Sequence, residues 1–314
     1  MRTQTIGKSD LVSTRLAYGC MRIAGGWAPQ KVTAENRAVG RKAVLAAYEA
    51  GYRLFDHADI YCRGVCESLF GEVLREAPGM RREILIATKC GVRFAGDPKA
   101  DSPQRYDFAA EHIVRSAEGS LKRLGVETID LYQLHRPDYL MDPAEVAGAF
   151  EKLRRQGKVR WFGVSNFLPS RMTALQSACP MPLVVNQVEI SLAHLDCLAD
   201  GTLDQCLAEK ITPLAWSPVA RGLVADGGRV DPKHPKREGL EALVTLLDAT
   251  AKKYGTTRSA LSLAWLLKHP SRIIPLVGST HPDRIRAAVK ADEVELSRED
   301  WYGLFLAARM APLP

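Results

Sequence analysis

Asp56, Tyr61, Lys89 and His135 carry the groups that a proton-transfer site needs. The first two lie in Phe55-Asp56-His57-Ala58-Asp59-Ile60-Tyr61, the third in Ala87-Thr88-Lys89 and the fourth in Tyr132-Gln133-Leu134-His135. A carbonyl that accepts hydride becomes an alkoxide and takes its proton from a donor in hydrogen-bond reach. A phenol, with an ordinary pKa of about 10, becomes more acidic beside an ammonium group. Lys89 supplies that cation, Asp56 a carboxylate to hold it, and His135 an imidazole to orient a substrate oxygen. Each residue also has an ordinary structural use, a half-buried tyrosine or a satisfied strand-end histidine; it is the combination that points to chemistry.

Each of the four lies at or just beyond the carboxyl end of a short apolar run. Four polar groups at the ends of separate parallel strands mark one rim of a barrel. Eight such runs are readable: 15–19, 52–56, 84–89, 128–135, 159–165, 183–189, 212–217 and 273–278. Most lack strict alternation, as strands buried on both faces do. Helical patterns at 33–50, 66–76, 108–124, 142–156, 169–178 and 200–209 fall between them. Two more, 239–254 and 257–268, precede the eighth run, and 282–290 and 298–308 follow it. Thr33 is placed to cap the first helix and Gly51 to end it. Strict alternation predicts an α/β chain folded as one (β/α)8 TIM barrel over residues 1–314, with extra helices near the C-terminus. No Gly-x-Gly-x-x-Gly follows the first run, which argues against a doubly wound dinucleotide domain. Residues 1–14 are expected to cap the barrel floor. The connections 91–107 and 218–238 exceed what simple turns need, and such loops usually carry function.

Composition bounds the rest. The chain has 314 residues, 46% hydrophobic and 25% charged, with a net charge of +7. The surplus suits either a solvated surface or attraction of an anionic cofactor. The basic residues are dispersed and no nucleic-acid reader motif is present, so no nucleic-acid partner is expected. The start has no apolar leader and no stretch is long enough to span a bilayer, which predicts a cytoplasmic protein with no membrane partner. Seven cysteines, an odd number with no Cys-x-x-Cys, fit reduced thiols. Cys62, Cys66 and His57 lack zinc spacing, so no metal is expected.

Asp56-His57-Ala58-Asp59-Ile60-Tyr61 is followed in order by Gly163-Val164-Ser165-Asn166-Phe167, Asn186-Gln187-Val188-Glu189, Trp216-Ser217-Pro218 and Ile274-Pro275-Leu276-Val277-Gly278-Ser279. Together with Lys89 and His135, these motifs resemble the aldo-keto reductases over almost the whole chain. Asp56-His57-Ala58-Asp59 and Leu134-His135-Arg136-Pro137-Asp138 are most similar to its bacterial YdhF-type branch. The resemblance implies a catalytic tetrad of Asp56, Tyr61, Lys89 and His135, and NADPH-dependent reduction of small aldehydes or ketones. It implies that Ser165, Asn166 and Gln187 hold the nicotinamide carboxamide and that Trp216 stacks on its ring, although a core role for Trp216 stays open. Met21 belongs to the same implied cofactor set. Ser217, Pro218, Arg221, Gly222 and Leu223 would line the pyrophosphate. Gly278, Ser279, Thr280 and Arg284 resemble a 2′-phosphate clamp, favouring NADPH/NADP+ over NADH, with Arg286 either sharing the role or solvated.

The chain departs from the family pattern in two places. Ala287 and Ala288 stand where many members carry Glu-Asn facing the adenine, and Cys62-Arg63 follows Tyr61 where a glycine is common. An arginine so close to Tyr61 suits acidic or dicarbonyl substrates. Trp27, Phe94, Tyr106 and Tyr139 lie in rim loops and form either a substrate pocket or loop packing. Two rival readings remain at this stage. One is a cofactor-binding redox-sensing module with little turnover, and the other a cofactor-free hydrolase or isomerase barrel.

Overall fold

The computed structural model describes residues 1–313. Eight parallel strands close into a barrel: β1 (Ala17–Gly19), β2 (Leu54–Asp56), β3 (Leu85–Cys90), β4 (Ile129–Leu134), β5 (Val159–Ser165), β6 (Leu183–Glu189), β7 (Thr212–Trp216) and β8 (Ile274–Val277). Leu276 opposite Ala17 and Val277 opposite Tyr18 join the last strand to the first. The helices on the outside are α1 (Ala34–Glu49), α2 (Val65–Glu76), α3 (Ala110–Leu124), α4 (Pro143–Arg155), α5 (Pro169–Ala178) and α6 (Thr202–Glu209). Then come α7 (Arg237–Lys253), α8 (Arg258–Leu267), α9 (Pro282–Ala288) and α10 (Arg298–Arg309). This is the (β/α)8 barrel expected from the alternation. α7 and α10 are the extra helices, packed beside each other through Leu243, Leu247 and Leu304.

Side-chain alternation along the strands builds two cores. Ala17, Leu54, Ala87, Leu131, Val185, Leu214 and Ile274 fill the barrel. Tyr18, Phe55 and Ile86 pack outward against α1 and α2, and Tyr132 and Phe162 against α3, α4 and α5. Each fully buried Leu or Phe contributes about 1.5–3 kcal/mol, so the rim is carried by a scaffold that resists deformation. The same alternation puts Leu131 in the packed interior and His135, four residues on, at its upper edge.

Residues 3–14 do close the floor. Thr3–Thr5 and Val12–Thr14 form an antiparallel hairpin, and Ile6 and Leu11 at its turn plug the barrel interior. Arg2 and Arg15 both reach Asp292, tying the plug to the segment after α9.

Local capping follows the sequence. Thr33 and Asn36 exchange hydrogen bonds in a capping box at the start of α1. Gly51, at φ +92°, ends that helix in a conformation other residues adopt at a cost.

The differences from expectation are at edges. β1 begins at Ala17 rather than 15, because Arg15 turns its guanidinium to Asp292 and the Leu267 carbonyl. β2 begins at Leu54 rather than 52, because the Arg53 amide donates to the Thr14 hydroxyl of the floor hairpin. Asp56 ends β2 and Tyr61 follows it, so three strands, not four, supply the four polar groups.

The loop 91–107 is not irregular. Val92–Arg93 pairs with Arg105–Tyr106 as a short hairpin. Arg93 staples it by donating to Asp97 at 2.8 and 3.0 Å and to Asp107 at 2.7 Å. Gly91, at φ +107°, lets the chain pass against Phe108, whose ring fills the space a Cβ would take.

Candidate active site

Lys89, penultimate in β3, points into the top of the barrel and is fully buried. Its ammonium spends all three N–H groups. It donates to Asp56 Oδ2 at 2.7 Å, to the His57 carbonyl at 2.6 Å and to the Tyr61 hydroxyl at 3.2 Å. Asp56 Oδ1 accepts from Gln187 Nε2 at 2.9 Å. A buried charge is tolerable only when paired and hydrogen-bonded, and this one is saturated. Burial pushes the Lys89 ammonium down, but Asp56 and Tyr61 outweigh it, so its pKa is raised and it stays charged.

Tyr61 is only 7% exposed. Burial raises its pKa, Lys89 lowers it, and the balance is about 12. The sequence expectation of a net lowering is therefore corrected. The ammonium acts in the expected direction, but desolvation of the phenolate is larger. The phenol is held with its proton on, its oxygen bonded to a cation.

His135, just past β4, stands edge-to-face to Tyr61 with ring centroids 5.8 Å apart. Among the described residues it makes no side-chain hydrogen bond, and its Nδ1 is buried without a partner. Burial first, then Lys89 and Arg136, hold its pKa well below 6.5. A neutral imidazole offers one donor and one acceptor, both uncommitted here.

His57 faces the other way, into the core behind β2. Its ring packs edge-on to Phe70 at 4.5 Å, and neither nitrogen has a partner. Burial and Lys89 lower its pKa to about 3. The unfolded chain takes up this proton near pH 6.5, so stability is complete above that value and falls as pH drops from 6.5 towards 3. The slope for one such group is at most about 1.4 kcal/mol per pH unit. His57→Phe is expected to flatten this acid limb in chemical-denaturation curves taken from pH 7 to 4; an unchanged limb would count against His57 as its source.

The remaining rim residues interlock. Ser165 Oγ donates to the Gln187 carbonyl at 2.7 Å. Asn166, at φ +61°, donates to Ser165 Oγ at 2.8 Å and to the His135 carbonyl at 3.2 Å. Its Oδ1 accepts from Trp216 Nε1 at 3.0 Å. Ser165, Asn166, Gln187 and Trp216 thus meet at one place. Gln187 also holds Asp56, a role the sequence did not signal because it joins β6 to β2 across the barrel. Trp216 is half-buried at the rim, packed against the cluster that fills the barrel.

After β7 the chain takes left-handed conformations at Ser217, Ala220 and Arg221, and Gly222 has φ +108°. Within these turns the Ala220, Gly222 and Leu223 N–H groups donate to the Ser217, Val219 and Ala220 carbonyls. Arg258 anchors the loop by donating to the Ala225 and Gly228 carbonyls. Past β8, Gly278, Ser279 and Thr280 lead to α9, which starts at Pro282, where the helical pattern over 282–290 begins. Arg284 therefore lies in the first turn of a short helix. It is exposed and makes no ion pair among the described residues. Arg286 is turned to Glu49 and Asp283 at 3.6 and 3.5 Å. Met21 follows β1, its carbonyl accepting from Cys66 Sγ.

Of the four loop aromatics, Trp27 stands edge-on to Tyr61 at 6.1 Å. Phe94 lies under the Arg63 guanidinium at 4.2 Å, and Tyr106 is half-buried in the stapled hairpin. Tyr139 projects into solvent, 84% exposed, with Arg171 over its ring. Among the described residues no group of three His, Cys, Asp or Glu is placed to hold a metal. No helix among them is long and apolar enough to cross a membrane.

A buried Lys–Asp pair touching a tyrosine at the carboxyl rim of an eight-stranded barrel describes a class of oxidoreductase, and similarity to known proteins agrees. The sequence model of the aldo/keto reductase family matches residues 15–304, and the chain belongs to that family. Oxidoreductase YdhF of Escherichia coli strain K12 is 40% identical over 260 residues, covering 83% of this chain and 84% of that protein. A 6-dehydroglucose reductase of Novosphingobium aromaticivorans is 36% identical over 316 residues, covering 98% and 96%. Among solved structures, the glycerol dehydrogenase of Gluconobacter oxydans superposes with a TM-score of 0.87 at 28% identity, covering 99% of this chain and 97% of that one.

Proposed function

We propose that this aldo/keto reductase is an NADPH-dependent reductase of small aldehydes and ketones, with residues 1–314 acting as one unit and Tyr61 as proton donor. The observation that carries the reading is Lys89 fixed between Asp56 at 2.7 Å and Tyr61 at 3.2 Å. As a phenolate forms on proton donation, it forms beside an ammonium that cannot move away. General acid catalysis by such a group contributes about 10²–10⁴-fold. His135, neutral and unpartnered, donates to the same carbonyl oxygen and aligns it with the phenol.

The residues present fit a nicotinamide dinucleotide. Asn166, Ser165 and Gln187 offer amide and hydroxyl groups beside Trp216, the loop from Ser217 to Leu223 offers the Ser217 hydroxyl and the exposed Arg221 guanidinium, and Arg284 offers a guanidinium with no ion pair among the described residues. When bound, the cofactor supplies the hydride. Asn166 Oδ1, with one partner in Trp216 and a second lone pair, would accept a carboxamide N–H. The names of the two fully overlapping relatives, a dehydroglucose reductase and a glycerol dehydrogenase, support interconversion of carbonyls and alcohols. All seven cysteines are free and buried, which supports action in the reducing cytoplasm.

The test is NADPH fluorescence titration together with sustained NADPH consumption on an aldehyde panel. Saturable binding with many turnovers per site is expected. Binding without turnover would favour the redox-sensing module, and no binding would sink the reading.

A further inference from the structure

One side-chain hydrogen bond spans the barrel at the level of the tetrad. Gln187 lies on β6 and Asp56 ends β2, and in the closed order of eight strands these two are diametrically opposite. Val185 fills the barrel interior, so Gln187, two residues on, shares its inward face. The side chain is buried, and its Nε2 donates to Asp56 Oδ1 at 2.9 Å. A carboxylate paired with an ammonium only accepts hydrogen bonds, so the amide must turn an N–H to it. That N–H is committed and is not free for a nicotinamide carboxamide.

The consequence for Asp56 is geometric. A carboxylate turns easily about its last torsion. Asp56 is held at both oxygens, Oδ1 by Gln187 and Oδ2 by Lys89 at 2.7 Å. Lys89 itself ends a flexible four-carbon stem, and its contact with Tyr61, at 3.2 Å, is the longest of its three. Release of Oδ1 lets the carboxylate swing and draws the ammonium after it, and the Tyr61 contact has the least to spare.

The backbone of the same residue reaches the cofactor side of the rim. The Gln187 carbonyl accepts from Ser165 Oγ at 2.7 Å and from the Asn166 N–H at 2.9 Å. Ser165 Oγ accepts from Asn166 Nδ2, and Asn166 Oδ1 accepts from Trp216, whose ring centroid lies 5.3 Å from the Arg136 guanidinium. A continuous chain of hydrogen bonds thus runs from Trp216 to Tyr61, and Gln187 joins its two halves.

We infer that Gln187 is a positioning residue for proton transfer: its amide orients Asp56, and through Asp56 it keeps Lys89 beside the Tyr61 hydroxyl. This rests on the reductase reading and adds to its mechanism a residue that the family resemblance assigns to the nicotinamide carboxamide. Gln187 acts on the proton donor through two other side chains, so its removal is expected to slow turnover without loosening the cofactor.

Wild type, Gln187→Met, Asp56→Asn and the double variant are compared with NADPH and 4-nitrobenzaldehyde. Gln187→Met should lower kcat by about ten- to a hundredfold, the contribution of a hydrogen bond to a charged group. The NADPH dissociation constant, read by fluorescence titration, should stay within a few-fold. In the Asp56→Asn background the same substitution should lower kcat by no more than a few-fold further, because residues that act through one another are not additive. Denaturation curves of the cofactor-free proteins should show the same shortfall from additivity, since the bond forms without a cofactor. Gln187→Glu keeps the shape of the side chain but sets a second carboxylate against Asp56, and it should lose kcat at least as far as Gln187→Met. Either single Gln187 variant within a few-fold of wild-type kcat would overturn the inference. So would a loss of NADPH affinity as large as the loss of kcat, or additive losses in the double variant. No turnover by the wild type on this or any other aldehyde of a panel would instead count against the reductase reading, and the denaturation cycle would still show whether Gln187 holds Asp56.

Discussion

Tyr61→Phe is expected to lower carbonyl reduction by about 10²–10⁴-fold, the contribution of a positioned general acid, and to leave NADPH affinity within a few-fold. The substitution removes one oxygen, whose protein partner is Lys89 at 3.2 Å, and leaves the Lys89–Asp56 pair in place. Lys89→Met should be equally damaging to turnover for a different reason. The phenol loses its cation, and burial, which already raises Tyr61 to about 12, acts unopposed. It also strands the Asp56 carboxylate in the barrel, and breaking a buried pair in this way costs about 3–5 kcal/mol. Thermal melts should therefore show Lys89→Met clearly less stable than Tyr61→Phe. Asp56→Asn should be milder in rate, because Lys89 keeps the His57 carbonyl and Tyr61. Steady-state rates with NADPH titrations decide the matter. A Tyr61→Phe enzyme within a few-fold of wild type would remove Tyr61 as proton donor.

Arg284→Ala should separate the two nicotinamide cofactors. Its guanidinium is exposed and free of ion pairs, while Arg286 is held by Glu49 and Asp283. A charge-assisted hydrogen bond to the 2′-phosphate contributes about 1.5–3 kcal/mol. NADPH should thus bind roughly ten- to a hundredfold more weakly, while NADH, lacking that phosphate, should change little. Equal weakening of both would mean that Arg284 reads a part common to the two. No change in either would remove it from the site.

The fold was readable because most barrel strands are apolar on both faces and most helices are punctuated by a cap, a proline or a glycine. β5 and β6 lie at the bounds expected. β1 and β2 are shorter because Arg15 and Arg53 are recruited by the floor, through Asp292 and Thr14. Those partners lie far off in sequence, where no periodicity reports them. The Arg93 staple was hidden for a related reason, since a charged loop looks solvated until it closes on itself. At the site, residue types were enough to pick Asp56, Tyr61, Lys89 and His135. They could not reveal how dry the rim is. Dryness decides the direction of the Tyr61 shift and keeps His135 neutral. Nor could they show that Gln187 reaches across to Asp56, or that Arg136 comes to rest on Trp216.

Closure of the barrel through Leu276 opposite Ala17 and Val277 opposite Tyr18 sets an order in time. Ribosomes add roughly 5–20 residues per second. Asp56, Tyr61, Lys89 and His135 all emerge in the first half of the chain, whereas the partner strand of β1 and the guanidinium of Arg284 emerge near its end. For roughly 7–28 seconds at those rates, the nascent protein holds its acid–base residues on an open sheet whose first strand presents a bare edge. Such an edge is a template for wrong pairing with other chains. Shielding β1 during synthesis is therefore expected to raise the yield of native protein.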